Sequence, residues 1–302
     1  MKRGLVALLS IAAVGFAVAW LLSLVPAHPL VLLQHFYVQL AAVGAVVAAA
    51  AVALRAPYAD AAVAATVLTW LLLAPDLLAA RRPVPDGAPL RVLMLNVHTE
   101  SSSFADVRQL IADVNPDVVG LVEVDQRWIA GVAPAVAGYA GRLERPRGDN
   151  FGVALYTRAP LTGAIDYFGG ELPVAVGAAS GVTFVLLHPL PPMTSAAIDQ
   201  ARDEMDAVAT RVRSLAGPVV LLGDLNATPW SRPYRHFLAA SGLCDSRAGF
   251  GWESTWPAGA GPLRIPLDHL WASCSVGVAA RVVERDVGSD HLPVVVDLVV
   301  PR

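Results

Sequence analysis

Lysine is nearly missing from this sequence: Lys2 is the only one, and basic character otherwise rests on arginine, a bias of GC-rich coding rather than of chemistry. Cysteine is almost as scarce. Cys244 and Cys274 stand without a C-x-x-C pattern or a His/Cys cluster at zinc spacing, which excludes iron–sulfur and structural zinc sites. An oxidising compartment would allow the two to pair, but sequence spacing alone does not bring them within disulfide reach. Charge is thin as well: 16% of the 302 residues are charged and 55% are hydrophobic, too apolar a mixture for one ordinary soluble domain.

The apolar excess sits in the first eighty residues. Segments 5–25, 30–54 and 58–80 are each long enough, at about 1.5 Å per helical residue, to cross roughly 30 Å of hydrocarbon. They predict a three-helix transmembrane domain over residues 1–82. A cleaved signal peptide is the competing reading of the first segment, since Lys2 and Arg3 precede it and Ala27 is small, but two further apolar runs follow at once and favour a signal anchor.

Removing Lys2, Arg3, Arg55, Arg81, Arg82, Asp60 and Asp76 from 22 basic and 25 acidic residues leaves 17 against 23. The remainder is acidic, whereas a duplex-DNA binder presents a basic footprint, so a nucleic-acid partner is not expected. Lys2, Arg3 and Arg55 would face the cytoplasm with the N-terminus inside, which puts the chain beyond residue 81 on the extracytoplasmic side; Arg81 and Arg82 oppose that bias.

Three prolines and a glycine in residues 83–89 cannot continue a helix and form the linker. From residue 90 to 302 the pattern is that of an α/β domain. Strands are predicted at 91–97, 118–124, 153–156, 182–188, 219–223, 267–271, 276–283 and 294–300. Ile198, Ala201, Met205, Val208, Val212 and Leu215 mark one face of an amphipathic helix over 195–215, and a second helix runs from 101 to 114, stopped by Asn115-Pro116. No internal repeat is present.

Polar residues fall at the ends of these apolar strands, where a sheet delivers side chains to one edge. Asn96, Glu123, His188, Asp224 and Asn226 each follow such a run, and Asp290-His291 precedes the last one. A carboxylate at the end of a buried strand is costly unless a cation or donors meet it. Several together suggest a shared metal, and carboxylate and amide oxygens suit Mg²⁺ or Mn²⁺.

Leu-Asn-Val-His at 95–98, Val-Glu-Val at 122–124, Leu-His-Pro at 187–189, Gly-Asp-Leu-Asn at 223–226, Leu-Asp-His at 267–269 and Gly-Ser-Asp-His-Leu-Pro at 288–293 resemble the ordered signatures of the endonuclease/exonuclease/phosphatase superfamily. The resemblance implies a DNase I-like four-layer α/β sandwich and a metal-dependent phosphoric ester or anhydride hydrolase. It implies Glu123, Asn96 and Asp290 as the metal set. His291 would be the general base oriented by Asp268, Asp224 and Asn226 would orient water and contact the phosphate, and His188 would donate to the phosphoryl oxygens. Chemistry from first principles agrees: an imidazole takes a proton from water, a carboxylate fixes its tautomer, and no covalent nucleophile is needed.

Outside this set, strand alternation turns His98 and His269 away from the site. Asn150 and Arg264 resemble positions that touch phosphate, with turn and surface roles as alternatives. Trp252 and Trp256 are read as core or rim packing rather than as substrate contacts. His35 and Gln39 share a helix face in the second apolar segment, where interhelical hydrogen bonding competes with head-group contact.

The arrangement of three N-terminal spans before this domain resembles the membrane-anchored VanJ-like subgroup. That implies a multi-pass bacterial membrane protein that dephosphorylates a lipid-linked phosphate or pyrophosphate, such as undecaprenyl pyrophosphate, at the outer face, in cell-envelope recycling and glycopeptide resistance. The alternatives are a sphingomyelinase-like phosphodiesterase, a surface nuclease, and a non-catalytic membrane scaffold.

Overall fold

The computed structural model describes residues 2–25 and 28–302; Ala27, where a signal peptidase would cut, lies outside them, as do the side chains of Lys2 and Arg3. The apolar segments form α1 (Lys2–Ser23), a single turn α2 (Leu32–His35), α3 (Tyr37–Ala53) and α4 (Ala59–Leu77).

Two helices, Gly4–Ser23 and Ala59–Leu77, are long and apolar enough to cross a membrane, against the three expected. The middle run is broken at Phe36, and the 17 residues of Tyr37–Ala53 fall short of about 20. The break has a tertiary cause. Gln34 and His35 are buried there, Gln34 Nε2 donates to the Ser23 carbonyl (2.8 Å), and Ser23 Oγ meets the Tyr37 hydroxyl (2.9 Å), so the chain between α1 and α3 folds on itself.

The rest is a two-sheet sandwich. One sheet has the order β11-β12-β1-β2-β4-β3, formed by β1 (Gly87–Asn96), β2 (Val118–Val122), β3 (Gly141–Arg145), β4 (Val153–Thr157), β11 (Gly277–Val283) and β12 (Val294–Pro301). The other, β5-β6-β7-β8-β10-β9, is formed by β5 (Thr162–Asp166), β6 (Val174–Ala179), β7 (Val182–Leu186), β8 (Val219–Asp224), β9 (Cys244–Asp245) and β10 (Asp268–Ala272). Val92, Met94, Val122 and Leu155 of the first pack against Phe184, Leu186, Leu222 and Leu270 of the second.

Gly120 lies at that interface, where an added Cβ would collide with Leu222 Cδ1, so the missing side chain sets how closely the sheets approach. The outer face of the first sheet is covered by α5 (Phe104–Val114) and α6 (Gln126–Val132), and that of the second by α7 (Ser195–Ser214) and α8 (Arg232–Ser241). Helix, sheet, sheet and helix make four layers.

Eight predicted strands are present within a few residues of their expected ends, and β1 starts at Gly87, inside the expected linker, pairing with Pro301. The short strands β3, β5, β6 and β9 and the helices α6 and α8 were not foreseen. Cys244 and Cys274 form a disulfide.

The helical segment is docked on the sandwich. Trp230 packs among Tyr37, Val38 and Leu73 and donates Nε1 to the Gln34 carbonyl (2.7 Å). Arg235 reaches the Leu72 carbonyl and Asp76 (both 2.8 Å), and Gln39 Nε2 donates to the Arg264 carbonyl (3.1 Å). The α1 C-terminus, the α3 N-terminus and the α4 C-terminus therefore lie at the bundle end that meets the catalytic edge.

Candidate active site

Register assembles the site. Parallel β1 and β2 end together, Asn96 opposite Val122, which brings Glu123 beside Asn96. Antiparallel β8 and β10 pair Asp224 directly with Asp268. Gly223 has no room for a Cβ, which would overlap the Leu187 carbonyl; glycine lets β8 lie against the end of β7 and sets Asp224 beside His188. Glu123 (φ 60°) and Asn226 (φ 49°) both adopt left-handed backbone, which asparagine tolerates but which is uncommon for glutamate and concentrated at functional sites.

All eight expected residues converge on this edge. Asn96 Nδ2 donates to Glu123 Oε1 (2.8 Å) and to Asp224 Oδ2 (3.1 Å), binding the two sheets together. His188 Nδ1 lies 2.9 Å from the Asp224 carbonyl, which can only accept, so Nδ1 carries the proton and Nε2 faces Glu123 Oε1 at 3.5 Å. Asp224 Oδ1 accepts from the Asn226 amide (2.9 Å), and the Asn226 side chain donates to the Pro189 carbonyl (3.0 Å).

His291 Nδ1 is 2.8 Å from Asp268 Oδ2, while its Nε2 looks toward Asp224 Oδ2 at 3.6 Å. Ser289 Oγ donates to the Asn96 carbonyl (2.7 Å) and accepts from the His291 amide (3.1 Å), fixing the loop that presents the base. Asp290 is half-exposed and accepts from Trp256 Nε1 (3.1 Å).

Electrostatics follow from burial and pairing. Burial works to raise the Glu123 carboxyl, yet His188, Asn96 and the Thr99 amide outweigh it and hold the group down to about 2. Burial pulls the His291 imidazole down, but Asp268, Asp224 and Asp290 carry it up to about 10. His188 is likewise raised by Glu123 and Asp224 against its burial. Asp224 is pushed up by burial, against the attraction of His291 and His188.

Carboxylates thus outnumber the groups that neutralise them, a donor set suited to a hard divalent cation. Asp224, Asp268 and His291 offer ligand atoms within 4.8 Å of one another, and Asp268 Oδ1 is buried without a partner. Glu123 and Asp290 line the same cavity. The Asp268–His291 hydrogen bond already uses His291 Nδ1, so that pair reads as an oriented base; Glu123, Asp224 and Asp290 are the carboxylates on the cavity wall that could hold a metal, with Asn96 bonded to the first two.

The cavity holds about 420 Å³. Besides Glu123, His188, Asp224, Asn226, Asp290 and His291, its lining includes Asn150, Phe151 and Trp256, and Leu32, His35 and Phe36 from the α2 turn. Asn150 therefore belongs to the site wall, whereas Arg264 and Trp252 line a separate surface pocket. Trp256 contacts Asp290 directly, against its reading as packing alone.

His269 points away, its Nε2 on the Ala227 carbonyl (2.8 Å), but His98 Nδ1 lies 3.6 Å from Asp290, so strand alternation fails for it. His98 has φ 57° and sits past the end of β1, where alternation no longer applies. Thr99 was also missed; its amide lies 3.3 Å from Glu123 Oε2. No spacing rule marks it.

The profile of the Endonuclease/Exonuclease/phosphatase family matches residues 95–291, a span that contains every one of these site residues. The chain belongs to that family. No curated protein matches it. Among solved structures, an endonuclease/exonuclease/phosphatase from Beutenbergia cavernae is similar at 21% identity and TM-score 0.55, over 70% of this chain and 72% of that one. A mannosyl-6-phosphatase from Bacteroides thetaiotaomicron is similar at 19% identity and TM-score 0.55, covering 70% and 99% of the two chains. A 3′ phosphatase from Neisseria, bound to a product DNA hairpin, is similar at 21% identity and TM-score 0.55, over 68% and 98%. The family fold is thus the two-sheet sandwich, and phosphoester hydrolysis is the family's chemistry.

Behind the site, Glu204 on α7 is 2% exposed and neither of its carboxyl oxygens has a hydrogen-bond partner. Burial raises this carboxyl from 4.5 to about 7, against a weaker pull from His188. The folded chain therefore holds a proton that the unfolded chain releases, and stability falls as pH rises from about 4.5 to 7. At about 1.4 kcal/mol per unit, Glu204→Gln is expected to stabilise the protein by about 3 kcal/mol above pH 7 and by nothing near pH 4. Urea unfolding at both pH values checks this; an equal effect at both would contradict it.

Proposed function

We propose that this chain is a membrane-anchored, Mg²⁺-dependent phosphatase of the VanJ-like kind that removes phosphate from a lipid-linked pyrophosphate such as undecaprenyl pyrophosphate at the outer face of a bacterial membrane. One observation carries the reading: the turn between α1 and α3 supplies Leu32, His35 and Phe36 to the wall of the catalytic cavity. A substrate reaching that cavity meets the apolar segment and the catalytic edge together. The exposed apolar residues of α1, Leu5, Leu8, Ile11 and Leu21 among them, suit a hydrocarbon environment, and the Cys244–Cys274 disulfide suits an extracytoplasmic compartment. The solved relatives that act as a mannosyl-6-phosphatase and a 3′ phosphatase support phosphate removal as the reaction type.

The residues divide the work. His291 accepts a proton from the attacking water at Nε2, while Asp268 holds Nδ1–H and stabilises the imidazolium that forms. Asp224 and Asn226 position that water and a phosphoryl oxygen. His188, whose proton affinity Glu123 and Asp224 raise against its burial, donates a hydrogen bond to the phosphoryl group. Glu123 and Asp290, with Asn96 beside them, would hold a divalent ion, which would supply positive charge near the phosphoryl oxygens and lower the proton affinity of His291.

A phosphate-release assay on the purified full chain tests the reading, with undecaprenyl pyrophosphate, a phospholipid panel and DNA offered separately in Mg²⁺. Turnover of the lipid pyrophosphate well above the others is expected. Turnover of DNA alone would overturn it.

A further inference from the structure

Beside the catalytic cavity lies a second chamber of about 250 Å³, between the α2 turn and α7. The two share three residues, His35, Pro192 and Asn226, so the chamber lies against the wall of the catalytic cavity. Its inner wall is apolar: Val31 comes from the α2 side, and Leu190, Ile198, Ala201 and Met205 from the sandwich. Asp199, Arg202 and Arg232 also line it but are exposed, which keeps their charges at the rim, and His236 is exposed beside them. His35 stands at the junction, 6% exposed, with Nδ1 buried and without a partner. A buried imidazole nitrogen with no acceptor or donor is costly unless a bound group meets it.

We propose that this chamber is a binding subsite for the hydrocarbon chain of the substrate, with His35 contacting the polar atoms where chain and phosphate join. The inference rests on the lipid-phosphate reading of the catalytic site and adds a place for the apolar half of the molecule. Three features point to a hydrocarbon occupant. Most of the wall is apolar, its buried polar groups Gln34 and His35 lie on the α2 side, and Asp199, Arg202 and Arg232 are exposed. The chamber adjoins the catalytic cavity, with His35, Pro192 and Asn226 lining both. Part of its wall comes from the segment next to α1, whose apolar surface faces outward. In this account the α2 turn selects substrate as well as connecting two helices, and the break in the middle apolar run is what brings it to the site.

Filling the chamber tests the proposal. Ala201→Trp, with the smaller Ala201→Leu as a second variant, is compared with the unaltered full chain in detergent micelles, on farnesyl pyrophosphate and on the much shorter dimethylallyl pyrophosphate. The readout is the ratio of kcat/KM for the long ester to that for the short one. Excluding about two methylene groups from an apolar site is worth about tenfold, so the ratio is expected to fall at least about tenfold in Ala201→Trp, less in Ala201→Leu, and mainly through KM.

A ratio unchanged within about twofold in both variants would overturn the chamber as the chain subsite. So would an equal fall for both esters, which marks a structural role. If the unaltered protein itself hydrolyses the short ester as well as the long one, the lipid reading of the site fails first. A loss of long-chain preference confined to the variants is the supporting result.

Discussion

His291→Ala is expected to lower kcat by about a hundredfold or more while leaving KM for the phosphoester within a few-fold, because general-base help is realised in the transition state rather than in substrate binding. The geometry gives this residue a specific task. Its Nδ1 is committed to Asp268 at 2.8 Å, and only Nε2 remains to accept a proton. Three neighbouring carboxylates carry its pKa up to about 10, so the free imidazole is mostly protonated at neutral pH. A divalent cation among those carboxylates opposes them, and activity is expected to rise with pH through the range in which His291 loses its proton. Asp268→Asn, which keeps the shape but not the charge, should reduce kcat and move that pH profile to lower values. A purely structural role for Asp268 would reduce activity without moving the profile. Steady-state kinetics across pH on the three proteins separates these outcomes.

Glu123→Ala is expected to cost a similar factor by a different route. Electrostatic stabilisation of developing charge is worth about a hundred- to a thousandfold, and the residue that would hold the cation controls it. Glu123 is held strongly ionised, its pKa near 2, by His188, Asn96 and the Thr99 amide against its own burial. Removing it leaves His188 without its 3.5 Å partner and Asn96 without one of its two acceptors. The variant should therefore need a much higher Mg²⁺ concentration for half-maximal rate, a shift that His291→Ala does not produce. Equal Mg²⁺ requirements in the two variants would mean that the metal set is misassigned.

These assignments were legible because the fold reports them as pattern breaks. An apolar run that ends in Asn96, Glu123 or Asp224 signals a buried strand delivering a polar group to an edge, and the register of β1 with β2 and of β8 with β10 shows why those groups meet. The signal is weaker where burial is one-sided or side chains are small. β3 carries Arg142, Glu144 and Arg145 on an outer strand, β5 is largely exposed, and four of the six residues of β6 are alanine or glycine, so none shows a strong apolar period.

Hydropathy also overstated the middle apolar run. A window average does not register that Gln34 and His35 turn inward or that Trp230 enters the end of the bundle, since both are long-range contacts. The contact of Trp256 with Asp290, and the burial of Glu204 on the otherwise recognisable α7 face, were hidden for the same reason. Local sequence carries periodicity and strand ends; it does not carry which loop folds over which edge.

The most direct test of the central claim, metal-assisted attack of water on a membrane-borne phosphoester, is a Mg²⁺ titration of phosphate release from undecaprenyl pyrophosphate in vesicles by the EDTA-treated full chain. The account predicts no release before Mg²⁺ is added and saturable recovery after it, with His291→Ala at about a hundredth of the recovered rate or below. Undiminished release in EDTA, or full activity in His291→Ala, would contradict it.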